Sequence, residues 1–153
     1  LTLLKAPVMP DMHADQGEHE LTYAIYPFSG PFTKSHVAEA GYEFNLAPTV
    51  IKETENASVS KEVSFFEAEG ARVIIDTCKP AMDAKEAAVL RLYESMGSAG
   101  ACKIFLPEEV RNCFACNMLE EKQQEIEIKE IEGRKYAELK FRAFEIKTLL
   151  LEI

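Results

Sequence analysis

Short apolar segments separated by glycine and proline run along most of this chain, and they constrain its fold more than any other feature. Residues 88–94 alternate, so that Ala88, Leu90 and Leu92 would lie on one face of a strand and the odd-numbered residues on the other. The other segments of this kind are residues 1–6, 21–26, 63–67, 71–78, 102–106, 113–119, 125–131, 136–142 and 144–151. Short strands at spacings of about 8–12 residues predict an all-β fold, an antiparallel β-sandwich.

Turn-forming residues mark the ends of these predicted strands. Residues 97–100, 107–109 and 132–133 interrupt the apolar pattern and contain glycine or proline. Glu69 and Gly70 stand between two strand-like runs, and this arrangement predicts a β-hairpin that joins residues 63–67 to residues 71–78.

One short helix is predicted, from Thr33 to about Ala40. Thr33 and Ser35 are suitable caps for its N-terminus, and Gly41 is a suitable stop. Residues 50–62 are polar and lack periodicity, so they are expected to form a surface excursion. Because the chain contains no repeat and no linker, we expect residues 1–153 to form one β-sandwich domain.

Composition excludes several classes of function. The chain has 153 residues, of which 47% are hydrophobic and 28% are charged, which is typical of a globular protein. Its formal net charge of −9 argues against nucleic acid as a partner, because phosphate binding needs a basic face. No apolar run approaches the roughly 20 residues that span a bilayer, so no membrane segment is predicted. Neutral ligands such as sugars, or a partner protein, remain open.

The four cysteines predict free thiols. Cys113 and Cys116 would point to opposite faces of a strand, and Cys78 and Cys102 lack the spacing of a zinc site. We therefore expect all four to be buried and reduced, which favours a cytoplasmic location. Asn56-Ala57-Ser58 is a formal glycosylation sequon, a triplet that often arises by chance.

A polar loop over residues 11–19 is the main candidate for a functional site. Its candidate residues are Asp11, His13, Asp15, Gln16, Gly17 and His19. Imidazole and carboxylate groups suit zinc or manganese, but this spacing does not define one coordination geometry, and we predict no metal site. The alternative is a loop in which the aspartates accept hydrogen bonds from their own backbone and Gly17 takes a positive φ.

The sequence offers no recognisable catalytic constellation. Arg91 and Glu94 are spaced as an acid and base might be, but arginine does not donate its proton usefully, so a structural ion pair or a solvated sheet face is expected. Residues 120–132 alternate between glutamate and isoleucine and predict one wet face of a strand. No serine or cysteine has a histidine placed to activate it, and no catalytic residue is predicted in this chain.

Three segments resemble family 38 glycoside hydrolases, the α-mannosidases. The first is Met9-Pro-Asp-Met-His-Ala-Asp-Gln-Gly-Glu-His-Glu-Leu-Thr-Tyr-Ala-Ile-Tyr26, the second is Val89-Leu-Arg-Leu-Tyr-Glu-Ser-Met-Gly97 and the third is Ala143-Phe-Glu-Ile-Lys-Thr-Leu149. Together they resemble the C-terminal β-domain of that family. The chain departs from the family pattern at Phe28, where a histidine is expected.

The resemblance implies a retaining α-mannosidase whose zinc and carboxylates lie in a catalytic domain that this chain does not contain. The chain would then be part of a larger β-domain that supports the catalytic domain of the same polypeptide, with a mannose-containing glycan as substrate. Residues 11–19 would lie near the sugar cleft. Uncovered strand edges would favour self-association into a homo-oligomer. The alternative is a stand-alone carbohydrate-binding or protein-interaction sandwich without catalytic activity.

Overall fold

A computed structural model describes residues 1–52 and 62–153, and two antiparallel sheets form the body of the protein. The nine strands are β1 (Glu67–Gly70), β2 (Val73–Pro80), β3 (Ala87–Glu94), β4 (Gly100–Phe105), β5 (Asn112–Cys116), β6 (Lys122–Ile126), β7 (Ile128–Ile131), β8 (Arg134–Phe141) and β9 (Ile146–Glu152). A 3₁₀ turn (Phe32–Lys34) and one helix, α1 (Val37–Asn45), precede them. The predicted antiparallel β-sandwich with one short helix is confirmed. No helix among the described residues is long and apolar enough to cross a membrane.

The strands divide between a four-stranded and a five-stranded sheet. The order is β1-β4-β8-β7 in the first and β2-β3-β9-β5-β6 in the second, and every neighbouring pair is antiparallel. The chain therefore passes repeatedly from one sheet to the other. Such crossings place the inner faces of both sheets against each other, as in other aligned sandwiches.

The main core lies between the two sheets. Alternate residues of the central strands are buried there, and the members that no solvent reaches are Leu90, Leu92, Ile104, Cys113, Ala137, Leu149 and Leu151. Burying each leucine or isoleucine side chain contributes about 1.5–3 kcal/mol. The alternation predicted for residues 88–94 is confirmed, because Leu90 and Leu92 belong to this core and Arg91 does not.

Two predicted strands at the beginning of the chain are wrong. Residues 1–6 and 21–26 are irregular, and most of their large apolar side chains are exposed, as in Leu1 (97%) and Ile25 (86%). A strand needs a neighbour for its backbone N–H and C=O groups, and no other strand of the described residues lies beside these segments. Their β-forming composition alone does not create a sheet.

The predicted hairpin at Glu69 and Gly70 is also wrong. The strand β1 pairs with β4, whereas β2 pairs with β3, so the residues after Gly70 carry the chain into the other sheet. A compact apolar-turn-apolar pattern is shared by hairpins and by such crossings, and only the partner strands distinguish the two.

Residues 125–131 form two strands instead of one. Ile126 ends β6 in the five-stranded sheet, and Ile128 begins β7 in the four-stranded sheet. Both side chains pack against the same core from opposite sheets. The alternation of glutamate and isoleucine therefore predicts correctly that Ile126 and Ile128 face the core. It does not reveal that the chain crosses from one sheet to the other at Glu127. The predicted strand over residues 113–119 is shorter, since the chain turns after Cys116.

The helix lies later in the chain than predicted. Helix α1 starts after His36 and includes Gly41, so the prediction that Gly41 ends the helix is wrong. The hydroxyl of Ser35 accepts a hydrogen bond from the backbone N–H of Val37 at 3.5 Å, which makes Ser35 only a weak cap. The predicted surface excursion over residues 50–62 and the sequon at Asn56 lie largely outside the described residues.

Candidate functional site

The first half of the loop over residues 11–19 is held by hydrogen bonds within itself. The Oδ1 atom of Asp11 accepts a hydrogen bond from the backbone N–H of His13 at 2.9 Å. The side-chain amide of Gln16 donates to the carbonyl oxygen of Met12 at 3.3 Å, and its Oε1 atom lies 3.3 Å from Nδ1 of His13. For Asp11, the prediction that loop aspartates bind their own backbone is confirmed.

The second half of the loop contains two residues with positive φ. Gly17 has φ 134°, as predicted, and Asp15 has φ 56°, which the sequence analysis did not anticipate. The Nε2 atom of His19 donates to the carbonyl oxygen of Asp15 at 2.8 Å. This contact ties the end of the loop to its left-handed turn, and it leaves the carboxylate of Asp15 exposed.

The loop makes no hydrogen bond to the described part of the sandwich. Its candidate side chains are exposed, and every hydrogen bond found for residues 1–30 stays within that segment. Across residues 1–52 and 62–153, no three His, Cys, Asp or Glu side chains come close enough together to hold a metal ion. The six candidate residues therefore form a preformed polar loop. Their hydrogen bonds join them to other residues of the same loop and not to the rest of the described chain.

Glu94, at the end of β3, is the most elaborately bound acidic residue in the described chain. Solvent does not reach it, and its carboxylate accepts hydrogen bonds from the backbone N–H groups of Met96 (3.0 Å), Gly97 (2.8 Å), Ser98 (3.1 Å) and Phe144 (3.0 Å). The hydroxyl of Ser98 donates a fifth hydrogen bond at 3.1 Å. The carboxylate therefore fixes the turn after β3 against the turn before β9.

The same contacts control the ionisation of Glu94. Burial raises the pKa of its carboxyl group, but hydrogen bonds from Phe144, Met96 and Ser98 outweigh burial, so the pKa lies below its ordinary value of 4.5. A carboxylate surrounded by five donors is a structural anion. This role was not predicted from the sequence, although a glutamate directly before the turn Ser-Met-Gly-Ser is a usable signal for it.

Arg91 does not pair with Glu94, so the ion-pair alternative of that prediction is wrong. Residues three apart on a strand point to opposite faces, and Arg91 lies on the outer face of the five-stranded sheet. Its guanidinium donates to the carbonyl oxygen of Met118 at 3.4 Å, while its buried Nε atom has no partner among the described residues. Beside it, Glu120 accepts hydrogen bonds from Lys79 and from the backbone N–H of Met82 (2.8 Å).

The cysteines occupy three kinds of environment. Cys113 faces the core between the sheets and Cys116 faces a smaller outer cluster, so the prediction that their thiols diverge is confirmed. Burial raises the pKa of Cys102 to about 11 and that of Cys113 to about 12, which keeps both thiols protonated at neutral pH. All four thiols are free, but Cys78 is exposed, so the prediction that all are buried is wrong for that residue.

Helix α1 is attached to the outer face of the five-stranded sheet by polar contacts. The guanidinium of Arg72 donates to Glu39 at 2.9 Å and lies 2.9 Å from Nδ1 of His36. The hydroxyl of Tyr42 donates to Oδ1 of Asp76 at 2.7 Å. These contacts hold the helix against β2 and against the residue that precedes it. They were not predicted from the sequence, because they join residues more than 30 positions apart.

A large polar cleft opens between the two sheets beside β6, β7 and β9. Its volume is about 1110 Å³, and charged side chains such as Lys129, Glu138, Glu145 and Lys147 line it. The Nζ atom of Lys129 lies 2.9 Å from Glu138, and that of Lys147 lies 3.5 Å from Glu145. These four charges are thus paired along its walls. Ion pairs near the surface contribute little to stability.

Comparison with known proteins identifies the family. Residues 72–149, from the start of β2 into β9, match the family described as the glycosyl hydrolases family 38 C-terminal beta sandwich domain. The chain belongs to this family. The matched residues include Arg91, Glu94 and most of the two-sheet body, whereas the loop over residues 11–19 and helix α1 precede them.

Relatives extend the similarity over nearly the whole chain. Alpha-mannosidase 2C1 of Homo sapiens is 33% identical over 153 residues, which cover 99% of this family 38 chain and 14% of that protein. Alpha-mannosidase G of Dictyostelium discoideum is 32% identical over 155 residues, covering 97% of this chain and 14% of that protein. The Alpha-mannosidase of Saccharomyces cerevisiae is 49% identical over 45 residues. The chain therefore spans only 14% of the length of these two longer matches.

Proposed function

We propose that this chain is the C-terminal β-domain of a retaining α-mannosidase, where it supports a catalytic domain located elsewhere in the same polypeptide. The observation that carries this proposal is the alignment of 97–99% of the chain with 14% of proteins named alpha-mannosidase. The substrate would be a glycan with α-mannosidic linkages. The parent protein would be the glycoside hydrolase, and the β-sandwich would contribute rigidity.

The exposed apolar segment at the start of the chain supports a role within a larger polypeptide. Residues 1–28 present large apolar side chains to solvent, among them Leu1, Leu3, Val8, Met9, Leu21, Tyr23 and Ile25. Contiguous exposed apolar surface usually marks an interaction site. We infer that these residues pack against the rest of the mannosidase, and that the two strand-like runs find their neighbours there.

Three acidic residues with well-defined partners are employed in other ways. A retaining glycosidase needs two carboxyl groups about 5–5.5 Å apart, one as acid and one as nucleophile. Glu94 is saturated by five hydrogen bonds, and Glu120 and Glu138 are paired with Lys79 and Lys129. The described residues also do not fit the zinc ion that the family implies, because they hold no group of three ligands. We propose that the chain alone is inactive.

An activity assay tests the proposal. The complete polypeptide should hydrolyse an aryl α-mannoside and lose this activity with a chelator, whereas the 153-residue chain should not. Proton NMR of the first product should detect the α-anomer, because the reaction retains configuration. Chelator-sensitive turnover by the purified 153-residue chain would refute its inactivity, and a complete polypeptide that cleaves no α-mannoside would refute the proposed function itself.

We also propose that the loop over residues 11–19 lies near the sugar cleft of the complete enzyme. Its exposed, preformed geometry supports this role, since such a turn contributes nothing to the sandwich core. In the complete enzyme, Asp15→Ala or His19→Ala should lower kcat/KM more than about tenfold while the Tm stays within a few degrees. A Tm loss with near-normal kcat/KM would instead assign the loop a structural role.

A cytoplasmic location is our remaining proposal. Free thiols at Cys78, Cys102, Cys113 and Cys116 support it, because such thiols persist in reducing compartments. Fractionation of the source cells, with the protein followed by antibody, tests it directly. Recovery of the protein from a secreted or vesicular fraction would contradict it.

A further inference from the structure

A groove lies between helix α1 and strands β2 and β3, on the outer face of the five-stranded sheet. Its volume is about 710 Å³, within the range of small-molecule sites, and both the helix and the sheet line it. Its lining includes Gly41, Tyr42, Asn45, Asp76, Thr77 and Tyr93. This groove is separate from the loop over residues 11–19 and from the cleft between the sheets.

A β-bulge directs an acidic side chain toward this groove. Ile75 pairs with Leu92 and Thr77 pairs with Arg91, so Asp76 is the extra residue that has no partner in the ladder. Bulges of this kind re-aim a side chain and occur often beside functional sites. Asp76 is exposed as a result, and two of its roughly four acceptor positions are used, by the hydroxyls of Tyr42 (2.7 Å) and Thr77 (2.8 Å).

Gly41 keeps the helical wall of the groove open. A glycine in a helix interior costs about 1 kcal/mol relative to alanine, so its presence there is unfavourable for the helix itself. Packing does not require it, because a Cβ atom at Gly41 would meet no atom within 4 Å. The missing side chain instead adds free space next to Asp76 and Tyr42.

The lining of the groove is suited to a neutral molecule rich in hydroxyl groups. The rings of Tyr42 and Tyr93 lie 6.4 Å apart and supply apolar faces with phenol groups at their edges. Hydrogen bonds from Tyr42 and Thr77, together with the nearby charge of Arg91, lower the pKa of Asp76, so its carboxylate is ionised at neutral pH. About two acceptor positions of this carboxylate remain for hydroxyl groups of a ligand.

We propose that this groove binds one pyranose residue of a neutral sugar, with Asp76 accepting hydrogen bonds from its hydroxyl groups. The choice of sugar among neutral polyols rests on the α-mannosidase function proposed above. A site on the outer face of the β-domain would hold a distant part of a branched glycan while the scissile linkage occupies the catalytic cleft.

The test uses the ¹⁵N-labelled 153-residue chain titrated with methyl α-D-mannopyranoside. We expect saturable shifts of the backbone amides of Gly41, Tyr42, Thr77 and Tyr93, with a Kd in the millimolar range. Asp76→Asn, which keeps the shape of the side chain, should weaken binding at least about tenfold, because hydrogen bonds to a charged acceptor are the strong ones. Gly41→Leu should abolish binding by filling the groove. Asp83→Asn, an exposed aspartate in another turn, is the matched control and should bind like the unmodified chain.

Three results would overturn the proposal. They are the absence of saturable shifts at these four residues, equal binding by the unmodified chain and the Asp76→Asn variant, and binding of L-arginine methyl ester in place of the mannoside. The last would identify a groove for a cationic peptide. Circular dichroism and Tm of Gly41→Leu establish that the variant is folded. This experiment measures no hydrolysis, so its failure leaves the mannosidase assay of the complete polypeptide independent.

Discussion

Glu94 organises more of the structure than any other single side chain described. Its carboxylate joins the end of β3 to the turn through Gly97 and to the backbone at Phe144. Glu94 and Phe144 are 50 residues apart in the sequence. Hydrogen bonds to a buried charge are strong, and losing them leaves several buried N–H groups without an acceptor. The turn after β3 and the turn before β9 therefore both depend on this residue.

Replacing Glu94 with glutamine should destabilise the protein by about 2–4 kcal/mol, because the new NH₂ group faces N–H donors and cannot accept from them. Urea unfolding followed by circular dichroism measures the change. Glu138→Gln, in an exposed ion pair with Lys129, is the matched control and should change the unfolding free energy little. Equal effects from the two substitutions would show that the hydrogen bonds to Glu94 are weak.

The stabilisation from Glu94 should disappear in acid. Because the folded-state pKa lies below the unfolded value of 4.5, the contribution is fully present above pH 4.5 and is lost as pH falls through the folded pKa. Unfolding free energies of the unmodified protein and of Glu94→Gln should therefore converge below pH 4.5. A difference between them that stays constant from neutral pH to pH 3 would contradict this assignment.

Thiol reactivity should separate the four cysteines. Cys78 is exposed, whereas burial raises the pKa of Cys102, Cys113 and Cys116, so a thiol reagent at pH 7 should modify one cysteine in the folded chain and four after denaturation. Counting modified thiols by mass spectrometry checks this. Fast modification of more than one cysteine in the folded chain would mean that the sandwich opens readily.

At the scale of elements, the junction between β1 and β4 is the tightest backbone approach that involves a glycine. Gly70 has φ 120°, and a Cβ atom there would lie 2.5 Å from the carbonyl oxygen of Ala101. Gly133 has φ 76°, but a Cβ atom there would meet nothing within 4 Å. Both φ values are positive, but only that of Gly133 is near the left-handed α region, so Gly70 is the more restricted of the two in backbone conformation as well as in space.

Gly70→Ala should cost more than about 3 kcal/mol, since backbone strain and a clash with a carbonyl group add. Gly133→Ala should cost about 1–2 kcal/mol from backbone strain alone. Chemical unfolding of both variants gives the comparison. If the two costs were equal, the contact between Gly70 and Ala101 would be looser than described.

Sequence patterns predicted a strand correctly where the strand is defined by which of its faces is buried. The alternation in β3 identifies the core residues Leu90 and Leu92, because it depends only on which face is apolar. The same patterns do not predict partners. The turn at Gly70 is a crossing between sheets, and Glu127 divides one apparent strand into two, since both outcomes depend on strands far away in sequence.

The candidate site was predictable to a similar degree. The positive φ of Gly17 and the hydrogen bond from the backbone of His13 to Asp11 follow from local turn chemistry, because the loop forms from residues close together in the sequence. The turn after Glu94 offered a local signal for its role, but its contact with Phe144 and the bulge at Asp76 were not predictable, because both exist only once β3, β9 and β2 have assembled. For the same reason, the sequence placed Gly41 at the end of a helix that in fact continues past it.

On the scale of the whole molecule, the exposed segment before helix α1 should control self-association. Deleting residues 1–30 should leave the unfolding free energy unchanged within about 1 kcal/mol, because the hydrogen bonds found for this segment are internal, and should reduce oligomers in analytical ultracentrifugation. Deleting residues 1–46 should be more destabilising, since it also removes the partners of Arg72 and Asp76. Undiminished oligomers after the shorter deletion would place the contact on the sandwich.

The position of β9 has a consequence for synthesis on the ribosome. This strand lies between β3 and β5, yet its first residue, Ile146, follows the end of β3 by about 50 residues. At about 5–20 residues per second, β3 waits roughly 3–10 s for its neighbour to be made. During that interval Leu90 and Leu92 have no covering strand on that side, so the nascent domain is most vulnerable to chaperone capture and aggregation just before its last strand emerges.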